Sequence, residues 1–165
     1  MPNVRLGYLI AAVIFLLDQL TKWIVTGPLN LREVMQIYLL PIFQLTYTEN
    51  YGISLGMFQA QSDAMRWVLV AITAAIAVGV AVWISREKLN GEQVALGMVL
   101  GGAIGNILDR VRFGYVVDFA DLHFGEFRPF FIFNVGDAAI SIGVVILLLR
   151  AFLSKEGHKE NAENA

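Results

Sequence analysis

Two aspartates stand out by what surrounds them. Asp137 has no Lys or Arg within a helical turn, only Asn134 three residues before it, and Asp118 sits in the otherwise apolar stretch 115–119 with no basic residue nearer than Arg112. Two carboxyls brought within a few ångströms of each other near an apolar boundary do not both ionise, so the pair holds one shared proton. The ionised member can take a proton from water while the protonated member polarises a carbonyl, which is amide hydrolysis without a covalent intermediate. Whether Asp118 and Asp137 meet is a question for the tertiary structure, and other aspartates in the chain compete for the same role.

Several other chemistries are closed. The chain has no Cys, hence no thiolate nucleophile, disulfide or zinc–thiolate site. It has two histidines, His123 and His158, and no H-E-x-x-H, so the usual His-based zinc protease centre is not expected. A net charge of −2 without a basic stripe argues against nucleic acid as a partner. Residues Gly52-Ile53-Ser54-Leu55-Gly56 match G-x-S-x-G, a pattern that signals a serine nucleophile only with a histidine base in reach and a strand-to-helix turn around the serine. His123 is the one histidine outside the C-terminal tail, so a Ser54-based hydrolase stands as an alternative.

The remaining polar candidates lie in apolar segments, where an ionisable group costs roughly 2.5–3.5 kcal/mol at a membrane helix centre and so suggests function. Asp18 and Lys22 are four residues apart, the spacing of an ion pair along one helix face. Asp109 adjoins Arg110, precedes Arg112 by three and follows Asn106 by one turn, so Asn106, Asp109 and Arg110 read as a positioning group with basic neighbours at hand.

The elements that must carry these residues are set by composition. Of the 165 residues 57% are hydrophobic and 16% charged, against roughly 45–50% and 25% in soluble domains. Residues 65–84 contain one charge in twenty and 131–149 one in nineteen, and at about 1.5 Å per residue each run spans the roughly 30 Å hydrocarbon core of a bilayer. Four spans are expected, at 6–25, 64–84, 91–108 and 131–152, in a single all-α membrane domain. The first lacks a small-residue cleavage site and is read as retained. In the connection 26–63, Phe43, Leu45 and Tyr47 alternate with Gln44, Thr46 and Thr48, which predicts a half-buried strand outside the membrane. The connection 109–130 has a turn at Gly125, and 154–165 reads as a polar tail without structure. The short turn holding Arg86 and Lys88 places both termini on the cytoplasmic side. Gly97, Gly101 and Gly105 make one smooth helix face, read as packing inside the bundle in preference to a homodimer seam.

Because successive spans run in opposite directions, the late parts of spans one and three and the early part of span four share one membrane face. Asp18, Lys22, Asn106, Asp109, Arg110, Asn134 and Asp137 therefore converge on one layer, which both long connections reach with Asn50, Gly52 and Asp118. A transporter or channel, the competing reading, would more naturally place its polar groups near the midplane.

With these residues in place, the chain resembles the type II, or lipoprotein, signal peptidases of bacteria. The resemblance rests on Asp18-Gln19-Leu20-Thr21-Lys22, Asn50-Tyr51-Gly52, the stretch 101–110 ending Asn106-Ile107-Leu108-Asp109-Arg110, Val116-Val117-Asp118-Phe119 and the stretch 133–140 containing Asn134 and Asp137. It implies a membrane aspartyl protease that cleaves a prolipoprotein just before its diacylglyceryl-modified cysteine. It implies further that Asp118 and Asp137 are the catalytic dyad and that Asp18, Lys22, Asn50, Gly52, Asn106, Asp109, Arg110 and Asn134 form the supporting shell. The β element becomes a cradle, and the second connection a flap, over the outer end of a four-helix bundle. The same resemblance implies no metal or cofactor, a lipidated prolipoprotein and membrane lipid as partners, a monomer, and residence in the inner membrane with the active site near the outer face. Ile53-Ser54-Leu55, Gly136 and Ala138 depart from the residues common in the family while every charged position is filled.

Overall fold

The computed structural model describes the backbone of residues 4–52 and 63–163. Four long helices, α1 (Val4–Thr26), α3 (Asp63–Arg86), α4 (Asn90–Phe113) and α5 (Val135–Glu163), are joined by a short helix α2 (Leu31–Val34) and three strands, β1 (Gln36–Leu40), β2 (Phe43–Asn50) and β3 (Val116–Leu122). All four long helices contain a segment long and apolar enough to cross a bilayer, so the chain is a multi-pass membrane protein of the expected helical class. Half of the α4 segment is buried against 11–22% of the others, because α4 packs on α1, α3 and α5 at once.

Glycine makes that central position possible. A methyl group at Gly97 would run into the Gly7 carbonyl, at Gly101 into the Ala11 carbonyl and at Gly105 into the Asp18 carboxylate. The smooth face is therefore occupied by α1 within the bundle. Behind it, Gly102 lies against the carbonyl of Gly136 on α5. Gly136, one of the departures from the family pattern, thus serves a close approach of two backbones.

Three boundaries differ from those expected. α4 continues to Phe113, past the limit near 108, since Arg110 and Arg112 sit favourably at a helix C-terminus. Gly114, at φ +89°, ends it, its N–H reaching the Arg110 carbonyl at 3.1 Å. Arg66, the one charge in the run 65–84, donates Nε to the same carbonyl at 2.7 Å and caps α4 from the side. α5 starts at Val135 instead of 131, because Phe133 is held by β3: its carbonyl accepts the Ala120 N–H at 2.8 Å and its N–H returns to Ala120 at 3.1 Å. At its other end α5 runs on to Glu163 in place of the structureless tail, through residues 154–163 that include good helix formers and no proline.

The strand expected around residues 43–48 is β2, flanked antiparallel by β1 and β3 in a sheet of order β1-β2-β3. β1, α2 and β3 go beyond the elements expected from the sequence. Leu45 and Tyr47 of β2 pack with Val117 and Phe119 of β3 against Val25 and Leu31, tying the sheet to the end of α1. Gln44 breaks the alternation by being buried, its amide turned to Asp121 of β3.

The glycine contacts can be checked by thermal unfolding in detergent. Gly101→Val should lose about 1–3 kcal/mol by overpacking α1 against α4, whereas Gly79→Ala, with nothing within 4 Å of the added carbon, should stay within about 1 kcal/mol of the parent.

Candidate active site

The polar residues of α1, α4, β2, β3 and α5 meet at one end of the bundle. The Lys22 ammonium lies 2.8 Å from Asp18 Oδ2, 2.8 Å from Asp109 Oδ2 and 3.1 Å from Asn106 Oδ1, all buried. The Asp18–Lys22 pair is the expected one. Asp109 differs: its partners are Lys22, the Gln19 amide at 3.1 Å and the Val117 N–H at 3.1 Å, not Arg110 or Arg112, although Arg112 lines the same pocket. The second Asp18 oxygen accepts the Gly136 N–H at 2.9 Å, fastening α5 to α1. Gln19, missed as a site residue, bonds Asp18 and Asp109 together; its only signal was a polar amide beside Asp18 in an apolar run.

Asn106 relays this arrangement onward. Its Oδ1 accepts from Lys22 and from Asn134 Nδ2 at 3.1 Å, so its own Nδ2 donates to Asp137 Oδ1 at 2.8 Å. Asn134 then bonds both unpaired aspartates. Its Nδ2 donates to Asp118 Oδ1 at 2.6 Å, its main-chain N–H to Asp137 Oδ2 at 3.2 Å, and its Oδ1 accepts the Asp137 N–H at 2.9 Å. The last two bonds form a reciprocal capping box at the start of α5, which explains why α5 begins where it does. Asp118 and Asp137, 19 residues apart in sequence, are thereby held on either side of one asparagine.

From the sheet, Asn50 donates Nδ2 to Asp118 Oδ2 at 2.9 Å while its Oδ1 accepts the Gly52 N–H at 2.8 Å. The β2–β3 register sets this contact: Asn50 pairs with Val116 and Thr48 with Asp118, so Asn50 and Asp118 are diagonal neighbours on one face. Gly52 sits at φ +88°, and a side chain there would press on Leu69 at 2.8 Å. Arg110 stands apart from these bonds. It lies beside Gly52, and its buried Nε has no hydrogen-bond partner among the described residues.

Burial pushes the Asp118 carboxyl up to about 7, the nearby Asp137 charge adds to the rise, and the bonds from Asn50 and Asn134 only partly oppose it. Asp118 lies on the wall of a cleft of about 660 Å³ that also touches Glu49, Asn50, Gly52 and Arg128. Asp137 lies on a neighbouring cavity of about 420 Å³ lined by Ala138, Ser141 and Ile142 of α5. The two spaces share Asn50 and residues 130–132, so they read as one groove with a carboxyl in each half. Among the described residues no three His, Asp or Glu side chains gather as a metal site.

Residues 10–153 match the family model described as signal peptidase (SPase) II. The chain belongs to the signal peptidase II family. A lipoprotein signal peptidase of Sphingopyxis alaskensis is 59% identical over 155 residues, covering 94% of this chain and 90% of that one. A lipoprotein signal peptidase of Brevibacillus brevis is 43% identical over 148 residues, covering 88% and 94%. A solved bacterial membrane enzyme superposes with a TM-score of 0.77 at 27% identity, covering 96% of this chain and 93% of that one. As a signal peptidase II family member the protein is a membrane-embedded protease, which removes the transporter or channel reading. Ser54 lies at 53–62, outside the described residues.

Two measurements probe the site independently of turnover. Lys22→Met leaves Asp18 and Asp109 buried without their counter-charge and should cost about 3–5 kcal/mol, read as a fall in Tm in detergent. Asp118 binds its proton more tightly folded than unfolded, so its contribution to stability falls as pH rises from about 4 to about 7. Asp118→Asn mimics the protonated state, and its Tm relative to the parent should improve between about pH 5 and about pH 8.5.

Proposed function

We propose that this protein removes the signal peptide from prolipoproteins by hydrolysing the bond before a diacylglyceryl-modified cysteine, with Asp118 and Asp137 as the catalytic pair. The observation that carries this reading is the position of Asn134, which bonds both carboxyls, with Asp118 biased by burial toward its protonated form near neutral pH. A water between the two gives a proton to Asp137 as it attacks the scissile carbonyl, while the Asp118 proton polarises the carbonyl oxygen. Collapse of the tetrahedral intermediate passes the proton from Asp137 to the cysteine nitrogen, which leaves as the new N-terminus, and Asp118 recovers its own.

Asp18, Lys22, Asn106, Asp109 and Asn134 hold the pair, and Asn50 with Gly52 forms the strand end over which the substrate lies. Arg110, whose buried Nε is unsatisfied among the described residues, is suited to donate to a substrate carbonyl near Gly52. The apolar lining around Asp137 opens on α5 within the membrane and suits acyl chains, and a chain without cysteine leaves the lipid to the substrate. Both termini lie in the cytoplasm and the groove near the outer face of the bacterial inner membrane. The protein works as a monomer, a reading supported by the use of the Gly97, Gly101 and Gly105 face within the bundle.

Asp118→Asn and Asp137→Asn should each lower cleavage of a diacylglyceryl-modified peptide by at least about 10³-fold while the protein remains folded in detergent. Turnover within about tenfold of the parent in either variant would exclude the pair.

A further inference from the structure

One buried cluster on the outer sheet has no part in the catalytic steps. Asp121 on β3 is 1% exposed and accepts from Gln44 Nε2 at 2.7 Å, Thr46 Oγ1 at 3.1 Å and Arg128 Nε at 3.1 Å. A buried carboxylate needs donors and a counter-charge, and the β2–β3 register supplies the first by setting Gln44 opposite Asp121. Arg128 supplies the second, but its side chain is 48% exposed and lines the same cleft as Asp118 and Asn50.

The guanidinium is a planar fork, so a bond through Nε to a buried, three-fold-bonded carboxylate fixes the plane in which the other N–H groups point. Among the described residues, neither of the two amino groups of Arg128 has a hydrogen-bond partner. The groove also has unlike ends: Asp137 sits among α5 residues within the membrane, whereas Arg128 and Glu49 sit at the extramembrane sheet. A substrate whose signal segment lies in the bilayer sends the residues after the scissile bond outward, past Arg128.

We infer that Arg128 is a substrate-docking residue whose free amino groups take main-chain carbonyl oxygens of the residues immediately following the lipidated cysteine, with Asp121, Gln44 and Thr46 as its positioning residues. This rests on the proposed prolipoprotein cleavage. Main-chain carbonyls are favoured over an acidic side chain because the Arg128 charge is already met by Asp121 at 3.1 Å, and Glu49, which lines the same cleft, is paired with Arg32 at 3.6 Å, so the Arg128 amino groups offer directed donors more than a free charge.

The test uses two diacylglyceryl-modified peptides with the same signal segment, one ending directly after the residue that follows the cysteine and the other carrying a longer mature segment. Arg128→Gln should reduce the kcat/KM advantage of the long peptide over the short one about tenfold, the worth of a charge-assisted hydrogen bond, with the change in KM. Arg128→Lys, a point charge without the fork, should recover only part of it, and Asp121→Asn should shift the ratio in the same direction. An equal fall for both peptides, or an unchanged ratio in Arg128→Gln, would make Arg128 a brace alone and overturn the inference. So would a loss confined to long peptides bearing an acidic residue after the cysteine, since the acceptor would then be a side chain. Asp118→Asn run alongside separates the two readings: turnover by that variant removes the catalytic pair, whereas the peptide-length ratio judges Arg128.

Discussion

The buried Lys22 ammonium is the interaction on which the polar end of this bundle depends. It has three N–H donors and meets three acceptors, on Asp18, Asp109 and Asn106. The ion pairs join α1 to α4, but the third contact orients the Asn106 amide. With Asn106 Oδ1 committed to Lys22 and Asn134, its amide nitrogen must face Asp137; with Asn134 Oδ1 committed to the Asp137 N–H, its amide nitrogen must face Asp118. Lys22 thus turns the Asn106 amide toward Asp137, the first turn of α5 turns the Asn134 amide toward Asp118, and the two amides meet at Asn106 Oδ1, so donors reach both carboxyls. Such a network in a low-dielectric interior is worth having only when every member is satisfied, and the Gln19 and Val117 N–H groups complete it around Asp109.

A second constraint is the seam between the extramembrane sheet and the membrane helices. Phe133 hydrogen-bonds to β3 as a strand residue would, and Asn134, the next residue, caps α5. One residue step therefore converts sheet pairing into a helix start, which is how an aspartate on a strand and another in the first turn of a helix come to share a neighbour. The capping box also gives Asp137 a structural part, since it accepts the N–H that Asn134 would otherwise leave orphaned. Close approach of α4 to α1 and α5, allowed by Gly101, Gly102, Gly105 and Gly136, brings the helices near enough for these short side chains to reach.

Much of this was legible in the chain. The four spans, the i, i+4 pair Asp18–Lys22, the strand at 43–48 and the convergence of polar residues at one face all derive from period and spacing, which are local. The singling out of Asp118 and Asp137 came from the absence of basic neighbours in sequence, and the structure sets both on Asn134. Local spacing did not reveal the partner of Asp109, because its counter-charge, Lys22, comes from α1 and not from the basic residues that follow it on α4. It also ended α4 too early and began α5 too soon, since hydropathy reads apolar content and is blind to a capping box or to a strand that claims Phe133.

What the sequence determined by itself was the solvent of each segment and the inventory of groups able to do chemistry, because hydrophobic runs and charge spacing act over one or two helical turns. What the tertiary structure alone decided was which donors meet which acceptors: the Lys22 contact to Asp109, the amide orientations of Asn106 and Asn134, the burial that raises Asp118, and the Asp121–Arg128 pair at the mouth of the groove. These contacts join residues from separate helices and strands, and their geometry depends on crossing distances set by packed glycine faces and on strand register, neither of which is encoded at any single position.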